Sequence, residues 1–303
     1  MNATNDNVLS PIQVVGYKIA GGLSLALYSV VVLGITVQLY HHIRHRSDMK
    51  RICFHLLLLL GIMTEIPMSL QYLLNPNSPE WMACFLCSLY SQILQCLALA
   101  IIALAWARTA VAGHQDGPIT FEKVVIAGNV VILLFALFAT MFITTMYPNT
   151  LNGQAEFMNS SLLVALMLTG CITLLGTGCF LVVQGCRIAS RLLRSRAILG
   201  EDKVYRSMAK LIVSLWTIFF CILLRVFFTT CVAFVVPFVE NMDIVPFTVW
   251  ATLVPDVFPV LCLLYLQRKT PTDINERKPS RVVSQVPSEP YTLHLTPSPQ
   301  LVV

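Results

Sequence analysis

The chain has 303 residues, 56% of them hydrophobic and 12% charged, with a mean hydropathy of +0.75. Soluble domains carry about 25% charged residues, and no soluble core of this length could bury so much apolar sequence, so composition excludes a water-soluble enzyme and makes a lipid bilayer the solvent. The formal charge of +5 is a topology and anionic-lipid signal rather than a nucleic-acid-binding one, because the basic residues concentrate in alternate loops.

Seven apolar stretches follow one another, each near the roughly 20 residues that a helix needs to cross a bilayer core. They run Val14–Tyr40, Ile52–Leu74, Met82–Arg108, Val124–Tyr147, Leu162–Val183, Ala209–Val236 and Val245–Leu266. The predicted fold is all-α, a seven-transmembrane-helix bundle: residues 1–13 form a short outer N-terminus, 14–266 the membrane domain and 267–303 a disordered cytosolic tail. Residues 1–13 lack the basic start of a cleaved signal peptide, so span one is expected to act as its own insertion signal. His41 and His45, at i, i+4 near the end of span one, have metal-binding spacing. No carboxylate accompanies them at the same depth, so they read as partly solvated interfacial side chains and no metal is expected.

Span three opens with Cys84 and Cys87. The loop Pro148–Ser160 offers no cysteine to pair with either, so both are expected as free thiols. Cys186, beside Arg187 at the end of span five, is a candidate acylation site. Arg187, Arg191 and Arg194 recur at helical spacing with Arg196 beyond, so span five is expected to continue as a basic helix. The tail is rich in Pro, Ser and Thr and too polar for a core. Its end, Leu301-Val302-Val303, fits strand addition to a PDZ-type domain.

Charge sets the predicted orientation. Lys18 and Arg225 lie within spans, and every other Lys and Arg falls on one side, in the loops after spans one, three and five and in the tail. The opposite loops carry Glu80, Glu156, Glu240 and Asp243 and no basic residue. Positive charge beside spans stays cytoplasmic, which puts the N-terminus outside or in a lumen. Asn2 and Asn159, in Asn-x-Ser/Thr contexts, then lie on the side where glycans are added.

Three spans carry a mid-depth charge: Glu65, Arg225 and Asp256. A charge there costs about 2.5–3.5 kcal/mol even on the lenient insertion scale, so such residues face the bundle interior and pair. Gly61 and Ser69 flank Glu65 four residues away, Cys221 and Thr229 flank Arg225, and Thr252 precedes Asp256, so each charge lies on a small or polar helix face. Gln92 and Gln95 in span three are candidates for the same centre, whereas Asn129 and Gln184 read as ordinary interhelical hydrogen-bonding residues. The centre reads either as a gating or ligand-responsive site or as a structural clasp. Pro67, Pro255 and Pro259 free backbone carbonyls and can kink spans two and seven. No HExxH, histidine cluster or intramembrane Ser–His pair is visible, so no enzymatic role and no cofactor are expected. Span seven has no lysine for a retinal Schiff base.

Rhodopsin-like landmarks are missing: span three ends Trp106-Ala107-Arg108-Thr109, and span seven lacks Asn-Pro-x-x-Tyr. The chain instead resembles the seven-span family of plant tobamovirus-multiplication proteins and their animal orphan-receptor-like lysosomal relatives. The resemblance rests on Phe54–Leu60, Gln92–Ala107, Phe219–Arg225, Leu253–Pro255 and Leu264–Pro271. Two positions depart from it: the family usually has an Arg where Glu65 stands and a Glu where Thr252 stands. The resemblance implies a vacuolar or lysosomal membrane and a small GTPase of the Arf-like or Rag type held at the cytosolic face. Two other readings stay open: a receptor coupled to a heterotrimeric G protein, and a small-solute or proton-coupled transporter using Glu65, Arg225 and Asp256.

Overall fold

The computed structural model describes residues 10–45, 47–76, 80–111, 119–194, 201–234 and 243–267, all within the unit Met1–Arg268. Asn2, Arg46, Arg196, Glu240 and the tail from Arg268 onward lie outside the described residues. Ten α-helices are found among them: α1 (Pro11–Arg44), α2 (Met49–Met63), α3 (Ile66–Leu74), α4 (Trp81–Val111), α5 (Ile119–Met146), α6 (Leu151–Met158), α7 (Ser161–Arg194), α8 (Glu201–Phe234), α9 (Ile244–Phe247) and α10 (Val254–Gln267). A π-turn, Thr248–Leu253, joins α9 to α10. They form seven segments long and apolar enough to cross a membrane, with α2–α3 as span two and α9–α10 as span seven. No strand occurs among the described residues.

Local sequence explains where the helices start and break. α1 begins at a capping box: the Ser10 hydroxyl accepts from the Gln13 amide, and the Ser10 amide donates to the Gln13 side chain. Together they satisfy two of the amides that a helix start leaves open. Span two breaks at Thr64–Glu65, just before Pro67. There the Glu65 amide donates to the Ile62 carbonyl, three residues back, which strips the Gly61 carbonyl of its usual donor. The hydroxyls of Thr64 and Ser91 replace it, each at 2.8 Å. Span seven meets Pro255 with the π-turn, in which the Val254 amide donates to Val249, five residues back. α7 continues unbroken through Arg187, Arg191 and Arg194.

The contacts fix the direction of the spans. Gly16 meets Ile244, Tyr28 meets Asp256 and Gly34 meets Leu264, so spans one and seven run parallel, as an odd number of alternating spans requires. One end of the bundle carries Ser10, Glu80, Glu156 and Asp243, the other Arg44, Lys50, Arg51, Arg108 and Arg194; these are called the acidic and basic ends. Small residues allow the closest crossings. A Cβ on Gly21 would lie 2.6 Å from the Ser69 carbonyl oxygen and 2.7 Å from the Leu73 amide nitrogen, so α1 and α3 touch backbone to backbone. Gly178 and Gly185 likewise receive Ile222 and Leu215 of α8.

The main core joins spans one, two, three, five, six and seven around Tyr28, Phe54, Ile62, Ala103, Leu181 and Ile218. A second cluster closes the acidic end, where Phe157 of α6 packs against Trp81, Phe85 and Tyr147 with ring centroids 4.9–5.3 Å apart. The loop 148–160 therefore holds a helix that the sequence reading passed over. α5 stands at the periphery: only 11% of its apolar window is buried, against 50% for span seven. Exposed Val131, Leu134, Phe138 and Met141 cover its outer face, which suits lipid and not water.

Gly21→Val is expected to lower stability by about 1–3 kcal/mol or more, since overpacking here pushes backbone against backbone. Gly128→Ala, which enters open space, is the matched control. Thermal unfolding of the purified protein in detergent, followed by fluorescence, checks both, and equal midpoints would refute the close crossing.

Candidate functional site

The mid-depth charges meet around Asp256. Arg225 on α8 donates from Nη1 to Asp256 Oδ1 at 2.8 Å, and Tyr28 on α1 donates from its hydroxyl to Asp256 Oδ2 at 3.2 Å. The junction ties spans one, six and seven together with both carboxylate oxygens engaged. Tyr28 is 0%, Asp256 3% and Arg225 8% exposed, so a charged pair is held away from water, where it survives only through good geometry and added hydrogen bonds.

Glu65 occupies a different position. It sits at the break in span two and is 0% exposed; the Ser91 hydroxyl lies beside its carboxylate but donates to the Gly61 carbonyl, so neither Glu65 oxygen is in good hydrogen-bond geometry. It lies within electrostatic range of both Arg225 and Asp256 without forming an ion pair among the described residues. Around the break, Gln95 donates to the Ser91 hydroxyl at 3.3 Å, and Ser91 donates to Gly61. The five residues singled out in the sequence thus divide. Arg225 and Asp256 bond directly, Gln92 shares a cavity with Arg225, Gln95 buttresses the span-two break, and Glu65 sits beside Ser91 without an ion pair among the described residues. Gln184 is buried, with its side-chain oxygen unbonded.

The cavity lies in the acidic-end half of the bundle, between α4, α7, α8 and the π-turn, and encloses about 240 Å³. Among the described residues, Arg225 is the one charged residue on its wall, beside Gln92, Thr229 and Thr252, with Phe228 and Phe247 among the apolar lining. At the basic end a cleft of about 480 Å³ opens between the start of α2, the end of α4, α7 and the end of α10. Lys50, Arg51 and Arg108 stand on its wall with one acid, Asp48, and with Trp106 and Ile188. Arg108 is braced by Glu122 of α5, and Arg191 donates to the carbonyl of Thr109 at its edge. Arg187 and Arg194 are exposed on α7.

The other singled-out residues are placed without a shared site. His41 and His45 stack with centroids 6.4 Å apart, and no metal-binding group of three side chains occurs among the described residues. Cys84 and Cys87 are free thiols. Asn159 is exposed and its side-chain amide donates to Ala155 at the end of α6. Sequence reasoning missed Tyr28 and Ser91, although a Tyr or Ser deep in an apolar span must find a partner. It also missed His42 and His55, both 0% exposed with rings 4.6 Å apart.

Arg225→Leu is expected to cost about 3–5 kcal/mol by stranding Asp256. Adding Asp256→Leu should recover more of that loss than adding Glu65→Leu, because the direct bond goes to Asp256. Tyr28→Phe removes one hydrogen bond to a charged carboxylate and should cost about 1.5–3 kcal/mol. Unfolding midpoints of the single and double variants in detergent decide this, and better rescue by Glu65→Leu would refute the assignment.

No family model matches the chain, and no curated protein matches it. The seven apolar helices are the ground on which it is described as a multi-pass integral membrane protein.

Proposed function

We propose that the protein is a non-enzymatic membrane scaffold whose basic end faces the cytosol and holds a partner protein there. The cleft at that end carries the reading: about 480 Å³ between spans two, three, five and seven, with Lys50, Arg51 and Arg108 outnumbering Asp48 on its wall, and with Arg187 and Arg194 exposed on the same end of α7. Orientation is supported by the contrast between this basic end and an opposite end bearing Glu80, Glu156 and Asp243, since Lys and Arg beside spans stay cytosolic. A partner presenting an acidic surface complements such a cleft. The partner class proposed is a small GTPase at an endolysosomal or vacuolar membrane, as the resemblance to the tobamovirus-multiplication family implies.

A second reading, a receptor coupled to a heterotrimeric G protein, is favoured by one observation. The cavity near Arg225 and the basic cleft lie in opposite halves of the bundle and share α4, α7 and span seven, so occupancy of one has a mechanical route to the other.

Tags at the two termini should be reached from opposite sides of the membrane, the C-terminal one from the cytosol; reaction of both from one side ends the model. Small GTPases recovered with the full-length protein should depend on the bound nucleotide. Replacing Arg187, Arg191 and Arg194 by Gln should weaken recovery at least about tenfold, given about 1 kcal/mol for each charge near an anionic surface. Recovery unchanged at equal membrane abundance returns these residues to a topology role, and ligand-dependent exchange on a heterotrimeric G protein would favour the receptor.

A further inference from the structure

The cavity of about 240 Å³ in the acidic-end half is somewhat smaller than the roughly 300–1,000 Å³ typical of pockets for drug-sized ligands. It has room for a polar head and a short apolar body. Its walls divide accordingly, with Arg225, Gln92, Thr229 and Thr252 on the polar side and Phe228 and Phe247 on the apolar side. A guanidinium has five N–H donors and no acceptor, and the bond to Asp256 runs from Nη1. Donors therefore remain on Arg225, the one charged group that the cavity reaches among the described residues.

Charge decides which head they suit. Arg225 is already matched by Asp256, and Glu65 lies in electrostatic range of both. An anionic head would bring a third acid to one guanidinium that is itself only 8% exposed. A cationic head would face Arg225 itself, and like charges at this depth are costly. An uncharged group that accepts hydrogen bonds avoids both conflicts.

We propose that this cavity is a binding site for a small uncharged amphiphile, whose carbonyl-type head accepts hydrogen bonds from Arg225 and its polar neighbours while its apolar body lies against Phe228 and Phe247. The site stands whether or not the basic cleft holds a partner.

The test uses the full-length protein in lipid nanodiscs and photoactivatable, alkyne-tagged probes that share one medium-length chain and differ only in the head: primary amide, carboxylate or ammonium. The amide probe is expected to label most strongly, with modified peptides mapping to α4, α7, α8 and the π-turn. Gln92→Leu with Thr229→Val leaves the Arg225–Asp256 pair intact and should reduce labelling about tenfold through lost hydrogen bonds. Gly170→Leu should block it by filling space, since a Cβ there first meets Gln92 at 3.9 Å. An unchanged unfolding midpoint identifies variants that remain folded. Stronger labelling by the carboxylate or ammonium probe overturns the proposed head chemistry. Equal labelling of parent and folded variants, or labelling confined to the lipid-facing surface, overturns the site.

Discussion

A backbone carbonyl released inside a bilayer has no water to turn to, and the interior of this protein is organised around that constraint. Spans two and seven both contain proline at mid-depth, and both must dispose of broken ladder bonds. In span two the Gly61 carbonyl is recovered by two hydroxyls, one from its own helix and one from Ser91 of α4. The repair therefore crosses between helices and pins span two to span three. In span seven the ladder stretches into a π-turn before Pro255. Each repair sits beside an acid, Glu65 in one case and Asp256 in the other.

Packing and charge then act together. The Gly21 crossing brings α1 against α3, and the same helix carries Tyr28 to Asp256. Asp256 in turn receives Arg225 from α8. Three spans meet at one carboxylate, so the closing contact between the first and last spans is polar as well as apolar. Two cavities flank this framework, one reaching Arg225 and one lined by the basic residues of α2 and α4.

Much of this was legible beforehand, for definite reasons. Span existence follows from composition alone, and the predicted stretches lie on the seven observed segments. Their ends differ because polar residues extend a helix past the apolar core, as α5 begins at Ile119 rather than Val124 and α7 continues to Arg194. The charged centre was legible because an acid or arginine at mid-depth must turn inward. Which acid takes the arginine was not, since that depends on the π-turn and on Tyr28, which lies 228 residues from its partner. α6 escaped notice because eight residues with a glycine in the first turn carry no long apolar run; its cap at Thr150 and the burial of Phe157 give it away only in three dimensions.

The π-turn has a bearing on how the chain can vary. It holds one residue more than an α-helical path would, and each residue turns a helix by about 100°. The direction in which Asp256 points is therefore encoded in chain length as much as in residue type. Substitutions between Thr248 and Leu253 act on local packing, whereas gaining one further residue there, with no second wide turn to absorb it, would swing the carboxylate away from both Arg225 and Tyr28 while leaving hydropathy untouched. Two sequences with equally apolar seventh spans could thus differ wholly in their interior wiring, and only an alignment that respects length in this stretch would tell them apart.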